Sequence, residues 1–240
     1  MISALTPHGG TPHGGTPHGG TPHAGPGSGG SEIDRIMALS PVIPVLVIQD
    51  AAHARPIAEA LVAGGLCVLE VTLRTGAALD VIREMSQVEG AVVGAGTVLN
   101  QDDLEASLEA GARFIVSPGL TEGLGRAAIA SGVPFLPGIA NAGDIMRGLD
   151  LGLDRFKFFP AVASGGIKAL RALSAPFGRV RFCPTGGVDE ASAAEWLALP
   201  FVACVGGSWL VPPVATDGRG PDVAEIRRRA AQAAALSGIA

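Results

Sequence analysis

One of the two lysines in this chain lies where a charge is least expected. Residues 155–160 read Arg-Phe-Lys-Phe-Phe-Pro, a run typical of a short buried strand, whereas Lys168 lies in a helical pattern with room for an exposed charge. Charged side chains are seldom buried without a partner or a function. A lysine amine that loses its proton in such a setting can attack a carbonyl carbon. Two interpretations of Lys157 therefore stand open, a Schiff-base nucleophile and a structural ion pair.

A carboxylate interrupts a second apolar run. Residues 68–75 read Val-Leu-Glu-Val-Thr-Leu-Arg-Thr. In a strand, Glu70 and Thr72 share one face because side chains alternate, and Arg74 follows just beyond. Glu70 is thus a candidate general acid/base. It is equally a candidate ion-pair partner for Lys157.

Glycines follow several of the predicted strands. Residues 94–97 read Gly-Ala-Gly-Thr, where small residues either let a ligand approach the backbone or allow tight packing. Glycine pairs occur at 186–187 and 206–207. Pairs after the last two strands of a parallel barrel can present backbone N–H groups to a phosphate. These pairs predict a phosphorylated small ligand.

The elements that must position these residues alternate regularly from Ser31 onward. Ser31 is a candidate N-cap for a short helix ending at Leu39. Periodicity then predicts eight strands, at 42–48, 67–72, 92–97, 114–117, 135–137, 155–158, 181–184 and 202–206. It predicts eight following helices, at 51–63, 76–86, 101–110, 122–131, 142–151, 166–174, 191–197 and 223–236, several with glycine at the C-terminal end.

Eight strand–helix pairs predict an α/β fold of the (β/α)8 TIM-barrel class in a single domain. An open doubly wound sheet is the alternative, although it normally has fewer strands in a chain of this length. The barrel domain is predicted over residues 31–240, a length of roughly 210 residues that suits one large domain. Catalytic residues of such barrels lie at the C-terminal ends of the strands, where Lys157 and the residues around it are predicted.

Residues 1–30 have a different character. TPHGG occurs three times and is followed by TPHAG, whose final glycine opens a Gly-Pro-Gly-Ser-Gly-Gly segment at 25–30. This low-complexity composition predicts a disordered tail. Its four histidines are a weak candidate for metal binding, because nothing fixes the ligand geometry.

Composition excludes several classes of function. A net charge of −5 argues against general nucleic-acid binding, and no apolar run approaches the ~18 residues of a membrane span. Cys67, Cys183 and Cys204 are expected to be free thiols, so we predict a cytoplasmic protein. Outside the tail the chain has one histidine, His53, which argues against a His-rich catalytic metal site. No metal and no cofactor are expected.

Six collinear motifs resemble the 2-keto-3-deoxy-6-phosphogluconate (KDPG) and 4-hydroxy-2-oxoglutarate (KHG) aldolase family. They are residues 68–75, Val-Gly-Ala-Gly-Thr-Val at 93–98, Ile-Val-Ser-Pro-Gly at 115–119, Phe-Lys-Phe-Phe-Pro-Ala at 156–161, Arg-Phe-Cys-Pro-Thr-Gly-Gly at 181–187, and Gly-Gly-Ser-Trp-Leu-Val at 206–211. The resemblance implies a metal-independent class I aldolase of the Entner–Doudoroff pathway that forms a homotrimeric barrel. Its substrate would be a phosphorylated keto acid.

The resemblance also implies roles for individual residues. Lys157 would form the Schiff base and Glu70 would transfer protons through water. Arg74 would hold the substrate carboxylate with Thr97 nearby, a task that suits a bidentate guanidinium. The remaining pocket residues would be Pro118, Phe159 and Thr185 around the substrate, with Gly186, Gly187, Gly207 and Ser208 around the phosphate.

The chain departs from the family pattern at Val162, where family members often have a glutamate, so that substrate preference could differ. Two other functions stay open at this stage. One is a 6-phosphogalactonate aldolase, which differs in the epimer that its pocket accepts. The other is a non-catalytic phosphosugar-binding or assembly barrel.

Overall fold

A computed structural model describes residues 31–212 and 220–236 of the chain. The predicted tail, residues 1–30, lies outside the described residues. The first element is helix α1 (Glu32–Ala38). Ser31 begins it as predicted, because the Asp34 carboxylate accepts hydrogen bonds from the Ser31 backbone N–H at 3.1 Å and from its hydroxyl at 3.0 Å.

The strands form a curled parallel sheet. They are β1 (Val42–Leu46), β2 (Val68–Thr72), β3 (Val92–Gly96), β4 (Phe114–Val116), β5 (Phe135–Leu136), β6 (Gly138–Ile139), β7 (Arg155–Phe158), β8 (Arg181–Pro184) and β9 (Val205–Gly207). One ladder has the order β5-β4-β3-β2-β1-β9 and the other has the order β6-β7-β8. The ladders approach each other where Thr185 pairs with Gly206. The α/β class is confirmed.

The predicted fifth strand, 135–137, is present as two short pieces. Pro137 has no N–H to donate and interrupts the ladder, so β5 pairs with β4 whereas β6 pairs with β7. The last strand is also displaced from the predicted 202–206. It begins at Val205, where the chain pairs with Val42 of β1.

The helices follow the strands in alternation. After a 3-10 turn (Ala51–His53) they are α2 (Ala54–Ala63), α3 (Ala78–Met85), α4 (Gln101–Glu109), α5 (Glu122–Ser131), α6 (Ala142–Asp150), α7 (Gly166–Ser174), α8 (Ala193–Leu197) and α9 (Val223–Ala234). Glycines with positive φ end α2, α4, α5 and α6, as predicted, because glycine enters the left-handed region without a Cβ clash. Among the described residues, no helix is both long enough and apolar enough to cross a membrane.

The apolar core has two parts. The larger one fills the space between strands and helices. The smaller one lies within the curl of the sheet, where Ile33, Ile36 and Met37 of α1 pack with residues such as Phe114 of β4 and Cys183 of β8. Helix α1 therefore covers one end of the curled sheet, and the opposite end, where the strands finish, is left for the site.

Asp34 anchors helix α1 to the sheet through two contacts. Its carboxylate caps α1 and also forms an ion pair with Arg155, whose side chain is 17% exposed. We expect Asp34→Asn to lower the free energy of unfolding by about 1–2 kcal/mol, as measured by urea denaturation. Glu32→Gln is the control, because the Glu32–Arg35 pair is exposed to solvent. Equal losses in the two variants would contradict the anchoring role.

Candidate active site

Lys157 and Glu70 meet inside the curl of the sheet, although they come from β7 and β2. The Lys157 Nζ lies 2.8 Å from Glu70 Oε1, and the two side chains are 7% and 4% exposed. Removing two charges from water costs several kcal/mol per ion, which such a pair recovers only with good geometry. A buried ion pair is therefore present, and it also places a proton acceptor beside an amine.

An aromatic ring lies beside the ammonium group. The Lys157 Nζ is 5.3 Å from the centroid of the Phe159 ring, within the range of a cation–π interaction. The same ring also contacts Gly186, where an added Cβ would lie 3.2 Å from two ring carbons. The turn after β8 thus packs directly on the residue that packs on the lysine.

Thr185 is held at the junction of β8 and β9. It is buried, and its hydroxyl donates to the Cys183 carbonyl oxygen at 3.3 Å. Gly206 pairs with it, and a Cβ there would lie 2.3 Å from Thr185 Oγ1. Glycine is therefore required at this position for the threonine to occupy its place.

Thr97 has a strained backbone. Its φ of 62° lies in the left-handed region, which costs a non-glycine residue roughly 1–2 kcal/mol and is a clear outlier for a β-branched side chain. Gly96 before it accepts a hydrogen bond from Leu73 N–H at 2.8 Å, which joins the ends of β2 and β3. Thr97 is half-buried, and Arg74, which follows Leu73, is exposed. Strain of this kind often marks a functional position.

Pro118 follows β4 and is half-buried. Its carbonyl oxygen approaches Gly138 so closely that a Cβ on the glycine would lie 2.2 Å away. Gly138 is in register with Lys157. Pro118 thus packs against β6, the strand that pairs with Lys157 of β7.

The predicted phosphate-binding residues lie in the turn after β8 and at the C-terminal end of β9. Gly186 and Gly187 both have positive φ, of 96° and 82°, which explains glycine at these positions. Val162 packs on this turn, since its N–H donates to the Gly186 carbonyl at 3.0 Å and a Cβ on Gly187 would lie 2.7 Å from its own Cβ. Gly207 is buried beneath the Trp209 ring, and Ser208 is exposed.

Two thiols lie below the ion pair in the smaller core. Cys183 Sγ is 3.8 Å from Thr185 Oγ1, and Cys204 is fully buried. The neighbouring Cys183 thiol, burial and the charge of Glu70 raise the pKa of Cys204 well above its ordinary value. Cys204 therefore stays protonated and adds no charge beneath Glu70. The three cysteines are free.

The glycines of β3 have a role that the sequence left undecided. An added Cβ on Gly94 would lie 2.4 Å from the Phe114 ring, and one on Gly96 would lie 2.2 Å from Glu70 Oε1. Packing rather than ligand approach explains both. In the part of the chain that the structure describes, no group of three or more His, Cys, Asp and Glu side chains is placed to hold a metal ion.

Comparison with known proteins places these features in a family. The family model described as "Aldolase: KDPG and KHG aldolase" matches residues 33–228. The KHG/KDPG aldolase of Escherichia coli strain K12 is 51% identical over 205 residues, which is 85% of this chain and 96% of the relative.

Solved structures agree with the sequence match. The KDPG aldolase of Zymomonas mobilis ZM4 with 3-phosphoglycerate is 58% identical, with a TM-score of 0.83 over 86% of this chain and 96% of that one. The KDPG aldolase of Legionella pneumophila, with pyruvate captured at low pH as a covalent carbinolamine, is 44% identical. Its TM-score is 0.80, over 85% of this chain and 98% of that one.

Proposed function

The chain belongs to the KDPG and KHG aldolase family, and we propose that it is a class I aldolase of the Entner–Doudoroff pathway. It cleaves 2-keto-3-deoxy-6-phosphogluconate to pyruvate and D-glyceraldehyde 3-phosphate, and it also acts on 4-hydroxy-2-oxoglutarate. The observation that carries this proposal is the buried pair of Lys157 Nζ and Glu70 Oε1 at 2.8 Å. An amine nucleophile and a proton acceptor in contact are what Schiff-base chemistry requires.

The reaction begins at the ketone of the substrate. Glu70 accepts a proton from the Lys157 ammonium, and the free amine attacks C2 to give a carbinolamine. Loss of water, with a proton delivered through Glu70, gives the protonated imine. No metal or cofactor takes part in the proposed mechanism.

Cleavage then breaks the C3–C4 bond. Glu70, acting through water, removes the proton of the C4 hydroxyl. The C3–C4 electron pair moves to C3 and is delocalised onto the imine nitrogen as a neutral enamine. D-glyceraldehyde 3-phosphate leaves, C3 takes up a proton, and water hydrolyses the imine to release pyruvate and regenerate Lys157.

The other site residues bind and orient the substrate in this proposal. Arg74 pairs with the substrate carboxylate in a bidentate manner, and Thr97 lies at the same end. Thr185 contacts the reacting end, while Pro118 and Phe159 form the pocket wall. The phosphate is bound by the turn after β8 (Gly186 and Gly187) and by the end of β9 (Gly207 and Ser208), where backbone N–H groups serve as donors. These contacts supply binding energy far from the reacting bond.

The strain at Thr97 allows binding to be separated from stability. Thr97→Asn should leave the melting temperature unchanged or raise it, because asparagine tolerates the left-handed region at a lower cost. The same variant should raise KM for the keto acid, since the hydroxyl is lost. Thr97→Ser, which keeps the hydroxyl, is the control and should stay close to wild type. Wild-type KM in Thr97→Asn would contradict the binding role.

The epimer preference is tested by measuring pyruvate release from 2-keto-3-deoxy-6-phosphogluconate and from the galactonate epimer. We expect faster cleavage of the gluconate. Faster cleavage of the galactonate would reassign the enzyme to that substrate. Release of pyruvate from neither would favour a non-catalytic phosphosugar-binding barrel.

The architecture and assembly proposed here are a closed (β/α)8 barrel, over residues 31–240, that forms a homotrimer in the cytoplasm. Barrel closure is supported by the Thr185–Gly206 and Phe182–Val202 pairings and by the continuity of β5 and β6 through Pro137. The trimer rests on the family resemblance. Light scattering in solution should give the mass of three chains.

A further inference from the structure

Gly96 is a glycine for reasons of space rather than of backbone conformation. It lies at the end of β3, in register with Thr72, and its φ is outside the left-handed region that requires glycine. An alanine Cβ at this position would lie 2.2 Å from Glu70 Oε1, 2.7 Å from its Cγ and 2.8 Å from its Cδ. Ordinary contacts between such atoms begin at about 3.5 Å, so the carboxylate would have to move by roughly 1 Å.

Glu70 has little freedom to move without losing its partner. Its side chain is 4% exposed and its Oε1 is within 2.8 Å of Lys157 Nζ. Glu70 is therefore confined between Gly96 on one side and its ion-pair partner Lys157. A displacement of this size changes the distance over which Glu70 and Lys157 exchange a proton.

We propose that Gly96 is a positioning residue: because it has no side chain, it leaves the space that the Glu70 carboxylate needs in order to contact Lys157. This inference rests on the proposed aldolase function. Gly96 contacts neither reacting atoms nor substrate in this scheme, and its effect on the reaction passes through Glu70 alone. That restriction makes it testable by a double-mutant cycle.

Gly94 provides a matched control. It lies two residues earlier on the same strand and the same face, and the three atoms nearest to its added Cβ, at 2.4–2.5 Å, all belong to the Phe114 ring. Phe114 belongs to the smaller core. Gly94→Ala therefore disturbs the interior of the sheet to a similar degree, but the atoms that it displaces are those of Phe114.

The experiment measures kcat for 2-keto-3-deoxy-6-phosphogluconate and borohydride trapping of pyruvate in wild type, Gly96→Ala, Glu70→Gln and the double variant. We expect Gly96→Ala to lower kcat by about 10²-fold, the loss typical of a 1 Å misplacement. Pyruvate should still be trapped on Lys157. In the Glu70→Gln background the same substitution should cost less than about twofold, because the carboxylate that Gly96 positions is already absent.

Two further variants separate positioning from damage to the fold. Gly94→Ala should lower the melting temperature while its kcat, per folded enzyme, stays close to wild type. Glu70→Asp in the Gly96→Ala background should recover part of kcat relative to Gly96→Ala alone, because the shorter side chain leaves room for the added methyl group. If Gly96→Ala does not fold, recovery of folded protein in that double variant supports the same contact.

Full additivity in the cycle would overturn the inference, as would wild-type kcat in Gly96→Ala. A Gly96→Ala/Glu70→Asp variant that is no better folded and no more active than Gly96→Ala would also overturn it. None of these results would contradict the proposed function. The proposed function fails separately, if wild type releases no pyruvate and traps none on Lys157.

Discussion

Lys157→Met is expected to reduce cleavage of 2-keto-3-deoxy-6-phosphogluconate to the background rate. The side chain keeps its length and apolar stem but loses the nitrogen that would bond to C2 of the substrate, and no other amine lies at Glu70 in the described residues. Borohydride reduction in the presence of pyruvate should add mass to wild type and not to the variant. Peptide mass spectrometry should place the adduct on Lys157.

Lys168→Met is the matched control, because Lys168 is the other lysine in the chain and is exposed on α7. This variant should keep wild-type activity and full trapping. An adduct on Lys168, or activity retained in Lys157→Met, would contradict the Schiff-base assignment.

Lys157→Met also has a cost in stability, which can be measured separately from the loss of activity. Lys157→Met leaves Glu70 buried without its partner, and breaking a buried pair from one side typically costs about 3–5 kcal/mol. Adding Glu70→Gln should restore much of this loss, because no uncompensated charge then remains. Because Glu70→Gln alone should still trap pyruvate on Lys157, a stable double variant that traps none would show that the loss is chemical rather than structural.

Glu70→Gln is the second large effect. The amide keeps the shape of the side chain and an oxygen that accepts from Lys157, but it no longer takes up the proton that carbon–carbon cleavage releases. We expect kcat to fall by about 10²–10⁴-fold, the usual contribution of a positioned acid/base group. Pyruvate should still be trapped on Lys157, although more slowly.

Glu59→Gln serves as the control, since Glu59 is an exposed carboxylate on the outer side of α2. Its kcat should equal that of wild type. Wild-type kcat in Glu70→Gln would leave the Glu70–Lys157 pair as a structural ion pair and would assign proton transfer to another group.

Much of the fold could be predicted because its signals are local. The alternation of short apolar strands with amphipathic helices fixes the α/β class, and β7 and β8 begin and end at the predicted residues. Glycines at the ends of α2 and α5 also act through their own backbone angles. The split at Pro137 was missed, because a change of ladder partner depends on both neighbouring strands.

Lys157 was recognisable from sequence because a charge in a short apolar strand is costly wherever that strand packs. Glu70 was recognisable for the same reason. The sequence left two functions for these residues open, an ion pair and a catalytic pair. The structure shows that they are in contact, and the catalytic role proposed for this contact is what the Lys157 and Glu70 variants test.

The sequence by itself thus determined which residue types lie at the ends of which strands. Tertiary structure alone decided that Lys157 meets Glu70, 87 positions away, and that Gly96 leaves the space in which their contact forms. The physical reason is that strand formation depends on neighbours along the chain, whereas a 2.8 Å contact across the curled sheet depends on its register, curvature and packing. The left-handed φ of Thr97 belongs to the same group, because tertiary contacts must hold a β-branched residue there against its own preference.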